Sequence, residues 1–445
     1  MMGRLLLKIY LFVAVLFVNN AAAGLFGAQE FWLDNGLQVI VVENHRVPII
    51  KHMLWYKSGA TDEALGKGGS AHLLEHLMFR GTKEVKAQEF NHLMDANGAE
   101  SNAFTGQDMT AYHQLLDVSR LELAMFLEAD RMRNLQISDD DFALERDIVF
   151  EERKQRIDNN PLGKFREVLA KTLWQEHPYA RPVTGTDREI MNLKKKDILS
   201  YYRNHYSPDN AVLVLVGDID VKTAKKLAEK YYGSIPKSEI NKENNFVGLA
   251  DGFKARIDMS DSNVKGHRIW KIFAAPSYSK NKDDLYNLLV LAEYMGGGDT
   301  SKLYKKLVLE KKIALSVEVA YNPAARSLGQ FSIAVIPAEG VEPEKVLQEL
   351  ELAWFDAINE LNIDEIERTK QKMSAGLVYL KDNPETAAYV IGSMIVSGAK
   401  LQEVEEYENK LRKVRYLDVK KAAAILWNNN PQVVGILRPK GEING

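Results

Sequence analysis

The sequence predicts an α+β fold of two similar domains, each a β-sheet covered by helices. The chain has 445 residues, more than one hydrophobic core of ordinary size requires. Both halves mix apolar runs typical of strands with segments of helical periodicity. Both also end alike, with a helix, a proline (Pro208 or Pro431) and then an apolar strand. Together these observations indicate a duplicated unit of roughly 200 residues.

In the first half, the turn Asn35-Gly36 is predicted to join two short strands into a hairpin. The first-half strands are predicted at 31–33, 37–42, 49–56 and 211–216. Most of the intervening chain has helical periodicity. Helices are predicted at 69–79, 86–97, 119–134, 139–157, 162–175 and 197–206.

A polar stretch at 236–250, rich in turn-forming residues, is predicted to link the two domains. The N-terminal domain then spans 24–235 and the C-terminal domain 251–445. In the C-terminal domain we expect strands at 269–274, 313–321 and 329–336 and a helix at 283–294.

Residues 1–23 are predicted to be a secretory signal peptide and are excluded from the fold. Arg4 and Lys8 precede an apolar run from Ile9 to Val18, and an alanine-rich segment follows. The run is shorter than the roughly 20 apolar residues that a transmembrane helix needs. We therefore expect a bacterial periplasmic or secreted protein with no stable membrane span once the signal is removed. An uncleaved membrane anchor is the alternative.

The composition excludes several kinds of site. A formal net charge of −3 gives no reason to expect a nucleic-acid partner. No cysteine is present, so neither a disulfide framework nor a thiolate metal site can form. Any bound metal must therefore be held by His, Asp or Glu.

The segment from His72 to His76 reads His-Leu-Leu-Glu-His and is predicted to be a metal site on a helix. Residues four apart share one helix face, so both imidazoles can bind one zinc ion. Glu75 lies on the same side, where its carboxylate can take a proton from a metal-bound water. The order H-x-x-E-H is the inverse of the commoner H-E-x-x-H. A surface helix with two histidines is the alternative, but the apolar neighbours indicate a buried helix.

Zinc needs a third protein ligand, and the predicted helix at 139–157 offers candidates. Glu145 and Glu152 are two turns apart on one face, with Ile148 and Val149 between them. Glu151 points about 100° away and is expected to be solvated. One of Glu145 and Glu152 is therefore predicted as a ligand and the other as a supporting carboxylate, and spacing alone does not distinguish them.

These residues resemble the inverzincin metallopeptidases, the M16 family of pitrilysin, insulin-degrading enzyme and the mitochondrial processing peptidase. The resemblance extends over residues 29–440 and centres on the segment from Gly69 to Thr82. Glu145-Arg146 and Glu152 match the family's E-R-x-x-x-x-x-E stretch, which implies Glu152 as the ligand and Glu145 as the supporting acid. The resemblance also implies a LuxS/M16-like, chamber-forming fold, one Zn²⁺ per chain and a C-terminal domain without a metal site.

Residues 101–105 resemble the family's edge strand, which binds an extended peptide substrate. In such binding, free backbone N–H and C=O groups add the peptide as a further strand. The resemblance implies that Asn102, Ala103 and Phe104 bind substrate and that the Asn102 amide helps to polarise the scissile carbonyl. A capping role for Asn102 at a turn or strand edge is the alternative.

The sequence departs from the family where an Arg and a Tyr, seven residues apart, usually stabilise the oxyanion. Here those positions are Val308 and Leu315, which cannot donate a hydrogen bond. We therefore expect a heterodimer in which this chain holds zinc and a homologous partner supplies the Arg/Tyr pair. The alternatives are that Lys302 or Tyr321 substitutes, or that a homodimer works weakly.

The predicted function is that of a zinc-dependent endopeptidase that cleaves short or unfolded peptides, with zinc-activated water and Glu75 as general base. Two alternatives remain. One is a catalytically weak or silent peptide-binding subunit, which the loss of Arg and Tyr favours and the complete zinc set opposes. The other is a specific processing peptidase that acts on a presequence-like substrate.

Overall fold

The computed structural model describes residues 24–87, 89–238, 246 and 248–440. The predicted signal peptide, 1–23, lies outside the described residues, as does most of the predicted linker. Within the described part of the chain, no helix combines the length and the apolar character that crossing a membrane requires.

Among the described residues, the N-terminal half forms a six-stranded sheet with eight α-helices. Its strands are β1 Gln29–Trp32, β2 Gln38–Glu43, β3 Ile49–Tyr56, β4 Glu100–Thr105, β5 Thr110–Asp117 and β6 Ala211–Gly217. Its helices are α1 Ser70–Leu77, α2 Glu89–Ala96, α3 Leu121–Asn134, α4 Asp139–Arg153, α5 Pro161–Trp174, α6 Asp187–Asn192, α7 Lys195–His205 and α8 Val221–Tyr232. The hairpin predicted at Asn35-Gly36 is present, since β1 and β2 pair in antiparallel fashion around it.

The C-terminal half forms a five-stranded sheet. Its strands are β7 Lys254–Asp261, β8 Arg268–Ala275, β9 Ala314–Asn322, β10 Gly329–Pro337 and β11 Gln432–Pro439. Its helices are α9 Leu285–Gly296, α10 Lys302–Tyr304, α11 Pro343–Glu360, α12 Ile363–Asp382, α13 Pro384–Val396, α14 Leu401–Glu405, α15 Tyr407–Arg412 and α16 Tyr416–Asn428. The sequence patterns missed strands β5 and β7 and helices α6, α8 and α10 to α15.

The two sheets have the same topology. The strand order is β1-β2-β6-β3-β5-β4 in the first sheet and β7-β11-β8-β10-β9 in the second. In each sheet the last strand along the chain pairs in parallel with one neighbour and antiparallel with the other. Strand β1 is the one addition in the first sheet. The predicted duplication and α+β class are therefore confirmed by the fold.

The two halves exchange one helix each. Helix α13 of the C-terminal half covers the outer face of the first sheet, where Ile391 packs with Trp55 and Val214. Helix α5 of the N-terminal half covers the second sheet, where Phe165 and Leu169 pack with residues of β8 and β11. Both helices therefore lie on the sheet of the other half, an arrangement that helical periodicity alone could not predict.

A glycine permits each exchanged helix to pack closely against the sheet of the other half. A Cβ atom on Gly392 of α13 would lie 2.1 Å from the indole ring of Trp55. A Cβ atom on Gly435 of β11 would lie 2.5 Å from the side chain of Leu169 on α5. Both distances are shorter than any carbon contact tolerates, so each sheet–helix pair depends on a glycine at its interface.

Candidate metal centre

Helix α1 is fixed on the inner face of the first sheet by its apolar side and by its N-terminal cap. Leu73, Leu74 and Leu77 are fully buried in the core of this half. The carboxylate of Glu63 accepts hydrogen bonds from the backbone N–H groups of Gly69 (3.1 Å) and Ala71 (2.8 Å). Glu63 thereby pairs N–H groups that a helix N-terminus would otherwise leave without partners.

Helix α4 packs against α1 and carries both predicted acids. It begins after Ser138, whose hydroxyl accepts from the N–H of Asp141 at 2.9 Å, and three aspartates occupy its first turn. Val149 is fully buried between Glu145 and Glu152, which turns that face of the helix toward the core. Glu151 points outward, as its spacing predicted, and pairs with Lys154.

The structure brings His72, His76 and Glu152 together. Oε2 of Glu152 lies 3.7 Å from Nε2 of His72 and 3.4 Å from Nε2 of His76. Ligand atoms from the three residues all lie within 4.8 Å of one another. Four donors around a zinc ion at its usual bond lengths are separated by roughly 3.3 Å, so small side-chain movements suffice to hold the ion. Among the described residues, no other group of three such side chains is similarly close.

The chemistry of the donor set also fits zinc. Two imidazole nitrogens and one carboxylate oxygen are the ligands of many catalytic zinc sites, which keep a fourth position open. Arg156 pairs with the other carboxylate oxygen of Glu152, Oε1, at 2.6 Å, which leaves Oε2 directed at the histidines. Nδ1 of His72 is buried and has no hydrogen-bond partner within the described part of the chain.

Glu145 lies behind His76 and does not join the cluster. Its Oε2 atom is 3.0 Å from Nδ1 of His76, while its Oε1 atom pairs with the guanidinium of Arg80. A carboxylate on the far nitrogen of a ligating histidine fixes the tautomer and orients the ring. Glu145 therefore occupies the position of a supporting acid.

The pKa values of the two histidines are shifted in opposite directions. Burial, and next the nearby His76, lower the pKa of His72 to about 4. Burial also acts to lower the pKa of His76, but its contacts with Glu145 and Glu152 outweigh burial and raise that pKa to about 9. His76 thus keeps its proton at neutral pH between the carboxylates of Glu145 and Glu152. Surroundings that stabilise this positive charge also attract a metal cation.

Glu75 lies beside this cluster on α1 and contacts the first sheet. Its Oε2 atom accepts a 2.5 Å hydrogen bond from the hydroxyl of Thr105, the last residue of β4. Burial raises the pKa of the Glu75 carboxyl, and the bond from Thr105 opposes that rise. A carboxylate with a raised pKa is better suited to accept and return a proton near neutral pH.

The strand predicted to bind substrate, β4, is the edge of the first sheet. A hydrogen bond from the N–H of Gly106 to the carbonyl of Met109 closes its turn to β5. Since pairing alternates along an antiparallel ladder, the backbone groups of Ser101, Ala103 and Thr105 point to the open edge. Oδ1 of Asn102 accepts from the outward N–H of Ala103 at 2.8 Å.

The side chains of β4 alternate between two environments. Ala103 packs against the core that contains α1, on the same face as Thr105. Phe104 lies on the opposite face, where its ring contacts Trp55 and Tyr389 of α13. The edge strand is therefore held from one side by the core that contains α1 and from the other by the C-terminal half.

The positions that lack Arg and Tyr lie in the C-terminal half. Leu315 is on β9 and is 65% exposed, whereas Val308 is partly buried against the core of that half. The two side chains considered as substitutes have structural contacts. Lys302 lies 3.4 Å from carboxylates of Glu360 and Glu365, and the hydroxyl of Tyr321 donates to the carbonyl of Pro276.

Sequence patterns did not predict four residues that shape the centre: Thr105, Arg80, Arg156 and Glu63. Arg156 follows Glu152 at the spacing of a helical ion pair, so that contact was available from the sequence. Glu63 lies in an irregular segment, and Thr105 on a strand distant in sequence from α1. No local pattern identifies such contacts between separate elements.

Family comparisons match both halves of the chain. Residues 38–187 match the family described as "Insulinase (Peptidase family M16)", and residues 192–373 match "Peptidase M16 inactive domain". The chain is 27% identical over 419 residues to the zinc protease PqqE of Helicobacter pylori, covering 92% of this chain and 93% of that protein. It is 25% identical over 418 residues to the mitochondrial-processing peptidase subunit beta of Lentinula edodes, covering 89% and 87%.

Solved structures give the same result for the fold. A crystal structure of a protease from Helicobacter pylori superposes with a TM-score of 0.86 at 25% identity, covering 93% of this chain and 99% of that one. A peptidase M16 inactive domain from Pseudomonas fluorescens superposes with a TM-score of 0.82, covering 94% and 100%. Its identity is only 16%, so it bears on the fold alone.

Proposed function

Because the chain belongs to the M16 peptidase family, we propose that it is a zinc-dependent endopeptidase acting on short or unfolded peptides. The observation that carries this proposal is the cluster of His72, His76 and Glu152 with Glu75 beside it on α1. Two helices converge to form the cluster. Glu145 contacts His76 from outside the cluster, and Thr105 contacts Glu75.

His72, His76 and Glu152 would hold one Zn²⁺ per chain. Bound there, zinc supplies a Lewis acid that polarises a peptide carbonyl and makes a water molecule acidic near neutral pH. Glu75 takes the proton of the attacking water and returns it to the leaving amine. With zinc in place, Glu145 would accept a hydrogen bond from the Nδ1–H group of His76 and so leave the Nε2 lone pair for the metal.

The open edge of β4 would bind the peptide as an added strand. The outward N–H and C=O groups of Ser101, Ala103 and Thr105 supply the backbone hydrogen bonds, and Phe104 helps to hold the strand from its other face. A peptide carbonyl that takes the N–H of Ala103 replaces the side chain of Asn102 there. The side-chain amide of Asn102, no longer bound to Ala103, can then donate a hydrogen bond to the scissile carbonyl of the substrate.

The proposed working assembly is a heterodimer. Val308 and Leu315 cannot stabilise an oxyanion, so a homologous partner would supply the missing Arg and Tyr. A homodimer is the alternative. Affinity purification of the tagged chain from its own cells, followed by activity assays with and without the recovered partner, separates the two. Full activity of this chain alone contradicts the heterodimer.

Residues 1–23 are proposed to direct export, which would place the mature protein in the periplasm or outside the cell. Sequencing the N-terminus of protein from the producing cells tests this. Cleavage before Gly24 or close to it supports export with removal of the signal. Recovery of the intact N-terminus with the membrane fraction supports the anchor instead.

Zinc analysis together with Glu-to-Gln variants tests the enzymatic proposal. We expect one zinc per wild-type chain, loss of zinc in Glu152→Gln, and retained zinc with turnover reduced about 10³-fold in Glu75→Gln. Glu151→Gln is the matched control, because Glu151 is on the same helix but points into solvent. A wild-type chain without stoichiometric zinc, or substantial turnover in Glu75→Gln, contradicts the proposal.

The apolar side chains of the exposed Leu315 and the partly buried Val308, where Arg and Tyr are expected, favour a second candidate, a catalytically silent peptide-binding subunit. A third candidate is a specific processing peptidase of presequence-like substrates. A peptide library distinguishes all three. Broad cleavage supports the endopeptidase, cleavage at one motif supports the processing peptidase, and binding without cleavage in every assembly supports the silent subunit.

A further inference from the structure

Arg326 reaches from the C-terminal half into the N-terminal half. It lies in the loop between β9 and β10, and its side chain is only 12% exposed. Its polar contacts are all with two segments of the N-terminal half: Asp62 (2.6 Å), Thr61 Oγ1 (2.6 Å), the carbonyl of Lys57 (3.1 Å), and Asp108 through both the backbone N–H (2.9 Å) and Nε (3.3 Å).

The first segment, 57–63, leads directly to the zinc-binding helix. Asp62 is bound by Arg326, and the next residue, Glu63, caps the N-terminus of α1 through Gly69 and Ala71. A displacement of this segment therefore displaces the cap, and the cap sets where α1 begins and how it is oriented.

The second segment, the turn at 105–110, leads to Glu75. Asp108 in this turn is bound by Arg326, and Thr105 at its start donates to Glu75. The two segments also bind each other, since the N–H groups of Ala60 and Thr61 donate to the carbonyls of Gly106 and Gln107. Arg326 thus binds both segments: the one that caps the helix carrying His72 and His76, and the one that contacts Glu75 through Thr105.

The charges explain why Arg326 is difficult to replace. Asp62 and Asp108 are both buried, with side chains 7% and 4% exposed. The planar guanidinium satisfies both carboxylates at once, which a single ammonium group cannot do with the same geometry. Without Arg326, two buried carboxylates would repel each other at the junction of the two segments.

We propose that Arg326 is a positioning residue of the zinc centre, through which the C-terminal half fixes the N-terminus of α1 and the Thr105–Glu75 contact. The proposal rests on the proposed peptidase function and adds a role for the C-terminal half, whose described residues contribute no member of the metal cluster. It differs from a general stabilising role because it predicts a loss of turnover beyond what a matched loss of stability produces.

Arg438 provides the control in the other half. Its side chain is also 12% exposed and also binds two carboxylates, but those of Asp258 and Glu344 are 41% and 49% exposed, and all of these contacts lie within the C-terminal half. The variants are Arg326→Met, Arg326→Lys and Arg438→Met, each studied as the full chain in the assembly in which the wild type is active. The readouts are unfolding temperature, zinc content, kcat, KM, and the visible absorption of the Co²⁺-substituted protein.

Both methionine variants are expected to lower the unfolding temperature. Arg326→Met is expected to lower kcat about tenfold or more with KM within about twofold, because a small misplacement of catalytic groups is costly. It should also shift the Co²⁺ absorption bands, which report ligand geometry. Arg438→Met should leave kcat and the bands unchanged, and Arg326→Lys should give an intermediate kcat.

Equal kcat values and Co²⁺ spectra in Arg326→Met and Arg438→Met would overturn the positioning role. If Arg326→Met does not fold, Arg326→Lys decides. A kcat at least about threefold below wild type then supports the role, and a kcat within that range overturns it. A wild-type chain that is zinc-free or inactive contradicts the proposed function instead, so the two failures are distinguishable.

Discussion

The hydroxyl of Thr105 donates a 2.5 Å hydrogen bond to Glu75, which links the last residue of the edge strand to the proposed general base. Thr105→Val keeps the shape of the side chain and removes the donor. We expect kcat to fall about tenfold with zinc content unchanged, because Glu75 loses its orientation. Thr105→Ser retains a hydroxyl and should stay within about threefold of wild type. Equal kcat in the valine and serine variants would show that the bond is not used.

Glu145 is expected to control zinc affinity and not the proton transfer. Glu145→Gln removes the negative charge that faces Nδ1 of His76 and leaves Arg80 without its carboxylate partner. Loss of such a supporting carboxylate typically weakens metal binding about 10- to 100-fold. Competition with a zinc chelator measures the affinity, and kcat at saturating zinc should fall much less. Unchanged affinity in Glu145→Gln relative to Glu151→Gln would refute this role.

Peptide binding along β4 predicts an alternating dependence on the substrate backbone. In an added strand, only every second peptide N–H faces β4. Single N-methyl groups placed along a good substrate should therefore raise KM about fivefold at alternate positions, equivalent to ~1 kcal/mol per lost hydrogen bond. The methylated positions between them serve as the control. A uniform effect at all positions would contradict binding as an added strand.

Buried His177 is expected to make stability depend on pH. Its Nε2 atom bonds the Ser327 hydroxyl and its Nδ1 atom accepts from the N–H of Tyr179, and burial followed by the charge of Lys280 lowers its pKa to about 4. Below the ordinary His pKa of about 6.5, the unfolded chain binds a proton that the folded chain does not. Stability is therefore lost as pH falls from about 6.5 toward about 4.

Denaturant unfolding of the zinc-free protein at several pH values measures this loss. The stability advantage of wild type over His177→Gln should shrink by up to about 1.4 kcal/mol per pH unit below pH 6.5. His92→Gln is the control, because His92 is exposed on α2. An advantage that stays constant between pH 6.5 and pH 4.5 would rule out this contribution.

Short-range patterns predicted much of the first half of the fold. The hairpin at Asn35-Gly36, strands β3 and β6, and helices α1, α4 and α5 follow from turn chemistry and periodicity within each segment. Helix α4 was expected to continue to residue 157. It ends as α-helix at Arg153, and a π-helical turn continues it over Lys154–Asp158.

Contacts between distant segments could not be predicted in the same way. An apolar helix face does not specify which sheet it covers, so the exchange of α5 and α13 is invisible to periodicity. The histidines and Glu152 were predicted because one short motif and one family match identify them. Arg326 lies in a loop of small residues, and only the folded chain shows that it reaches Asp62 and Asp108.

The exchanged helices have a consequence for biosynthesis. A chain made from its N-terminus completes the first sheet with β6, but α13, which covers that sheet's outer face, is among the last elements to be made. A nascent chain therefore exposes an apolar surface around Trp55 that invites aggregation until α13 arrives. The proposed metal ligands are synthesised early and Arg326 much later, so a half-made chain contains these ligands before it contains the residue proposed to position them.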